Sequence, residues 1–255
     1  VAVYLIFFQP EKTEWIMPKE LNEISGISFT DEHTLACVQD EKGIIFLYDL
    51  DKSKITERIN FAEKGDYEGI TIKDKTAYVI TGDGILYEVR NFLTDPKVEI
   101  FYLDLRKNEE SEAICYDPVT DRLLLAFKNS KKENVNPGIF AFDLTAGKLN
   151  NEAVVRVNLA TANVKKKDLD NNKKLWEPAD IAIDVNNQRI YVIDAINRHL
   201  MEFSRSGELT GMSHTDPKRM DHPEGIAVSP DGNLFICNDA SREGKGKIMK
   251  FMMQH

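Results

Sequence analysis

Cysteine, tryptophan and positive charge are all scarce in this 255-residue chain. Its three cysteines cannot all pair with one another, and no CxxC spacing offers a zinc site. Each stands inside an apolar stretch, Cys37 in LACV, Cys115 in AICY and Cys237 in FICN, which is the setting of a buried thiol rather than a ligand or nucleophile. Lys and Arg number 33 against 42 Asp and Glu, a formal net charge of −9. That balance speaks against a nucleic-acid partner, because phosphate binding rests on cationic neutralisation. The basic run Lys165, Lys166, Lys167, Lys173, Lys174 is interleaved with Asp168, Asp170, Asn171 and Asn172 and reads as a solvated loop. No stretch reaches the roughly 20 apolar residues of a membrane-spanning helix. The opening VAVYLIFF, within an apolar segment 1–12, is either the tail of a removed signal or anchor or a β-strand packed on the body. The signatures of a serine-hydrolase elbow, a phosphate-binding loop and an HExxH zinc site are absent.

A repeat is present instead. The segments EISGIS, DYEGIT, SEAICY, PADIAI and PEGIAV place Ile27, Ile70, Ile114, Ile181 and Ile226 at intervals of 43, 44, 67 and 45 residues. Four-stranded propeller blades take about 40 to 50 residues, so three intervals are one blade each. The interval of 67 requires an insertion, placed in NSKKENVNPG and in the segment from Ala162 to Leu175. After each first strand come short apolar runs, TLACVQ, TAYVIT, RLLLAF, RIYVID and NLFICN, continuous enough to be buried on both faces. Turn residues such as Asp231-Gly232, Asn186-Asn187 and Asp117-Pro118 punctuate them. Third strands follow in every repeat and fourth strands in four. The fifth repeat lacks a fourth, which the stretch around Glu14, Trp15, Ile16 and Met17 can supply. The expectation is an all-β, five-bladed propeller over 13–255 with four-stranded antiparallel blades, closed by an N-terminal strand. The alternative is a six-bladed ring.

Four residues before the repeated isoleucines stand Glu23, Asp66, Glu110, Glu177 and His222; two before them stand Ser25, Glu68, Glu112, Ala179 and Glu224. First strands lie nearest a propeller's axis, so these positions predict an anionic ring around the channel. Carboxylates about 5 Å apart at an effective dielectric near 20 repel by about 3 kcal/mol per pair, so either some carry protons or a cation sits among them. An all-oxygen set suits calcium better than zinc, copper or octahedral magnesium. The expected ligands are Glu68, Glu112 and Glu224, then Glu177 and Asp66. Gln39-Asp40, Thr81, Lys128-Asn129, Asp194 and Asn238-Asp239 lie just past the second strands and are either ordinary turn residues or the lining of the other mouth. Lys128 can balance the ring's charge.

The motifs NEISGI, GDYEGI, LLLAFKN and HPEGIAVSPDGNLFICND resemble the SdiA-regulated (YjiK-like) family, and more distantly the NHL-repeat propellers. The likeness runs from about Leu21 to Phe251. It implies a five-bladed propeller, a channel calcium site at Asp66, Glu68, Glu112, Glu177 and Glu224, and an exported or membrane-anchored protein of the bacterial envelope. Ala179-Asp180, Asn129 and Asp239 depart from the family pattern. Two functions are expected of such a ring: binding of a small molecule or protein partner at the channel mouth, or calcium-dependent hydrolysis of the lactonase or esterase kind. His222, the histidine at a ring position, is the candidate base for the second.

Overall fold

The computed structural model describes residues 4–5, 14–129, 138–157, 176–216, 219–240 and 244–252; the expected insertions of the long repeat lie outside them. Two strands come first, β1 (Tyr4–Leu5) and β2 (Glu14–Ile16). Blade one then holds β3 (Ile24–Phe29), β4 (Thr34–Gln39), β5 (Lys42–Asp49) and β6 (Lys54–Lys64). Blade two holds β7 (Tyr67–Lys73), β8 (Thr76–Thr81), β9 (Ile85–Arg90) and β10 (Lys97–Tyr102). Blade three holds β11 (Glu109–Asp117), β12 (Arg122–Asn129) and β13 (Gly138–Asp143), with an outer strand split into β14 (Lys148–Leu149) and β15 (Val155–Arg156). Blade four holds β16 (Pro178–Asp184), β17 (Arg189–Asp194), β18 (His199–Ser204) and β19 (Leu209–His214). Blade five holds β20 (Pro223–Val228), β21 (Leu234–Asn238) and β22 (Lys247–Phe251).

The ring is five-bladed, as the repeat count predicts. Its innermost strands pack in the order β3, β7, β11, β16, β20 and back to β3. Closure comes from β2, which pairs antiparallel with β22 from Glu14↔Met249 to Ile16↔Lys247. Trp15 fastens that strand: its ring stacks on Phe235 at 5.7 Å and its Nε1–H donates to the Leu50 carbonyl in blade one. Two residues of the apolar N-terminal segment, Tyr4 and Leu5, add a fifth, parallel strand to blade four beside Gly211 and Met212. Among the described residues no helix is long and apolar enough to cross a membrane.

The core lies in the seams. Five clusters of buried side chains fill them, and each holds one of the repeated isoleucines: Ile27 between blades five and one, Ile70 between one and two, Ile114 between two and three, Ile181 between three and four, Ile226 between four and five. The second strands are buried on both faces, as their unbroken apolar runs predict. Cys37, Cys115 and Cys237 are free thiols in this core. The inner strands meet backbone to backbone where the repeat has glycine. A methyl on Gly26 would stand 2.9 Å from the Gly69 Cα, closer than carbon atoms approach, so only glycine permits this contact.

Side chains also tie neighbouring inner strands together. The Ile72 amide donates to Ser28 Oγ and the Tyr116 amide to Thr71 Oγ1. Asp180 links three blades at once: its carboxylate accepts the amides of Ile114 at 3.3 Å, Ile181 at 2.8 Å and Ile226 at 2.9 Å.

Candidate functional site

Every inner strand breaks register with its neighbour at one place. The irregularities fall between Ile24 and Gly26, Tyr67 and Gly69, Ser111 and Ala113, Pro178 and Asp180, and Pro223 and Ile226. The residues stepped over are Ser25, Glu68, Glu112, Ala179 and, with Gly225, Glu224. These are the positions two before each isoleucine, so the sequence ring is a ring of β-bulges. A bulge bends its strand and re-aims a side chain; here it brings Glu68, Glu112 and Glu224 to one cavity of about 240 Å³.

Asp66 and Glu23, two residues before the bulge positions and just ahead of their strands, line the same cavity, and so do Asp40, Lys128 and Asp239. The last three stand at or just past the ends of second strands and are expected, if anywhere, at the opposite mouth. The antiparallel hairpin accounts for the difference: the end of a second strand lies beside the start of the first, as Tyr67 opposite Thr81 and Glu110 opposite Lys128 show. The opposite end of the channel is lined largely by apolar and small side chains, among them Phe29, Ile72, Ala182 and Val228. The protein thus has one charged mouth and one apolar mouth.

Charge in the acidic mouth is unbalanced. Lys128 Nζ lies 2.6 Å from Glu112 Oε1 and 3.5 Å from Glu110 Oε2. Burial would lower the Lys128 pKa, but Glu112, Glu68 and Glu110 outweigh it and hold the ammonium charged. Burial pushes Glu68 up to about 9, helped by Glu112 and Asp66. Burial also pushes Glu224 up to about 8, with Glu112 and Asp239 adding to it. Glu112 is raised by burial too, against the pull of Lys128. At the seam of blades five and one, burial and then Glu23 raise Asp40 to about 6, and burial raises Asp239.

Two expected residues stand elsewhere. Glu177 is buried, its amide donates to Asp194 Oδ2, and it is not among the residues lining the cavity. The His222 side chain is 59 % exposed, with Nδ1 3.8 Å from Asp221, and it too lies outside the lining. Below the mouth sits Asp180, fully buried, whose carboxyl is raised well above the usual range by burial, offset in part by its three amide donors. Its signal in the sequence is an acid directly before the isoleucine of PADIAI, where the other repeats carry glycine or alanine.

The donor set is of the kind a hard cation takes. Carboxylates from blades two, three and five face one cavity, and Gly82 leaves open the space where its Cβ would stand 2.9 Å from Asp66 Oδ2 and 3.4 Å from Glu68 Oε1. Among the described residues no three acidic, histidine or cysteine side chains converge closely enough to hold a metal ion as they stand, and Glu112 is engaged by Lys128.

Comparison with known proteins places this architecture. The family model for SdiA-regulated proteins matches residues 11–242. Among solved structures, the glutaminyl cyclase of Myxococcus xanthus is similar at a TM-score of 0.66 and 14 % identity, over 98 % of this chain and 97 % of that one. A luciferin-regenerating enzyme is similar at 0.53 and 12 %, over 94 % and 80 %, and a nidogen/laminin complex at 0.54 and 16 %, over 91 % and 84 %. At these identities the likeness is one of fold. A search of the curated proteins finds no match.

Proposed function

The chain belongs to the SdiA-regulated family, and from that membership and its acidic mouth we propose a small-molecule active site in the channel that performs hydrolysis. One observation carries the reading: five bulges at equivalent positions turn glutamates of three blades into a single cavity. Bulges are over-represented next to active sites, where they re-aim side chains, and these five lie on innermost strands rather than at sheet edges. Similar folds include a glutaminyl cyclase and a luciferin-regenerating enzyme, which favours catalysis over a passive scaffold.

In this proposal Glu68, Glu112 and Glu224, with Asp66 at their side, would hold Ca²⁺. The ion would supply a Lewis acid for a carbonyl or phosphoryl oxygen. The chain's own residues do the rest. Asp40, raised to about 6, is ionised at neutral pH yet basic enough to accept a proton from water, and it lines the cavity where the exposed His222 does not. Lys128 favours the ionised form of Glu112 and would give up its 2.6 Å contact for Glu112 to serve as a ligand. Asp180 joins the amides of three blades beneath the site, and a substrate would enter by the acidic mouth. The same proposal includes the extracytoplasmic setting implied by the family resemblance.

A screen of lactones, esters and phosphotriesters with and without Ca²⁺ tests the reaction. Turnover that needs Ca²⁺ and falls in Asp40→Asn supports it. Calcium binding without turnover of any of these substrates leaves the binding function, a ligand or partner held at the mouth, as the better reading.

A further inference from the structure

Outer strands of the five blades differ in how they are protected. In blade one, β6 is broken by two register shifts and carries Lys54, Glu57, Arg58 and Lys64. The outer strand of blade three is reduced to two two-residue pieces, blade four is covered by β1, and blade five ends on the three-residue β2. Short strands, bulges, charges and added cover are the devices that keep a sheet edge from pairing with another chain. In blade two, β10 uses none of them except two charges near its start. It runs six residues in unbroken register with β9, from Lys97↔Arg90 to Tyr102↔Ile85, and nothing pairs with its outer side among the described residues. Alternate residues of a strand share a face, and here Val98, Ile100 and Tyr102 form one apolar row, 41, 45 and 79 % exposed.

We propose that β10 pairs antiparallel with the β10 of a second copy of this chain, about a two-fold axis at Ile100. Two-fold pairing sets residues of one face opposite each other, so each register centres on one residue of the strand. Centred on Glu99, it opposes two like charges, which destabilises a sheet. Centred on Val98, it sets Ile100 against Pro96, which has no amide hydrogen to give. Centred on Ile100, it sets Val98 against Tyr102 of the second copy, Ile100 against its own counterpart, and Tyr102 against Val98. The result is a continuous stripe of β-branched and aromatic pairs, the favoured cross-strand combination. Glu99 then faces Phe101 rather than a charge. The occupant is a second copy because in this register the strand complements itself, apolar row against apolar row and no like charges opposed. A contact of one strand is small, so the dimer is of the weak, reversible class. This inference is independent of the channel and of any reaction there.

Sedimentation of the full chain from about 10 µM to about 1 mM spans the range of weak association. The wild type is expected to shift from monomer to dimer across it, and Ile100→Lys to stay monomeric with an unchanged melting temperature. All native thiols are buried, so an introduced cysteine reports the register. Ile100→Cys is expected to form a disulfide-linked dimer under mild oxidation, because directly opposed residues lie within disulfide reach. Tyr102→Cys is expected to link poorly, since its partner is Val98. A wild type that is monomeric throughout, or an Ile100→Lys variant that still associates, overturns the proposal. Equal linking of the two cysteine variants overturns the register.

Discussion

The Lys128 ammonium stands 2.6 Å from the Glu112 carboxylate, whose side chain is only 8 % exposed. Among the described residues it is the single cation lining a cavity that also holds Glu23, Asp40, Asp66, Glu68, Glu224 and Asp239. Replacing Lys128 by Met is therefore expected to destabilise the protein more at pH 8 than at pH 5, by about 1–3 kcal/mol at the higher pH, since a buried carboxylate loses its partner while the lysine itself is partly solvated. Urea melts at the two pH values measure it. Equal losses at both would show that Lys128 acts through packing alone.

Stability of the metal-free protein should fall as pH rises. Glu68 and Glu224 have folded pKa values of about 9 and about 8 against an ordinary 4.5, so between those limits the folded state binds more protons than the unfolded one. Their contribution is whole below pH 4.5 and is lost as pH climbs through 8 and 9. Asp40, raised to about 6, acts in the same direction. Denaturation series in chelator from pH 5 to 9 should show this slope, and Glu68→Gln should flatten it.

Calcium should reverse the slope. Its ligands must shed their protons, so calorimetry in buffers of different ionisation enthalpy is expected to show proton release on binding, and affinity should rise from pH 6 to pH 9. At 100 times its dissociation constant the ion should add about 2.7 kcal/mol of stability. Wild type and a Glu68→Gln, Glu224→Gln double variant that melt alike with and without Ca²⁺ would end the calcium proposal.

Asp180 should prove a structural clasp of large effect. Asp180→Ala leaves the amides of Ile114, Ile181 and Ile226 without their acceptor, at a cost of about 3 kcal/mol or more. Asp180→Asn retains one carbonyl oxygen and should lose less. If the two variants melt together, the hydrogen bonds are not what Asp180 contributes.

Much of this was readable from residue spacing. Ile27, Ile70, Ile114, Ile181 and Ile226 mark the blades because each fills a different seam, and a seam demands the same shape every time. The glutamates of the mouth were visible for the same reason. What was not legible is register. A bulge leaves no residue signature of its own beyond the small residue after Glu68, Glu112 and Glu224, and the hairpin return that carries Asp40, Lys128 and Asp239 to the same mouth depends on pairing rather than on composition. Glu177 matched its repeat position, but blade four keeps it beside Asp194 and outside the cavity lining.

The pairing of Glu14–Ile16 with Lys247–Phe251 also orders events during synthesis. The partner of the earlier strand is made after the strands of all four other blades, so blades one to four can assemble while Trp15 still has neither Phe235 nor a closed sheet to rest on. Completion of the ring then waits for β22, and until it arrives the growing chain is an open crescent whose two free edges must find each other before any other chain does.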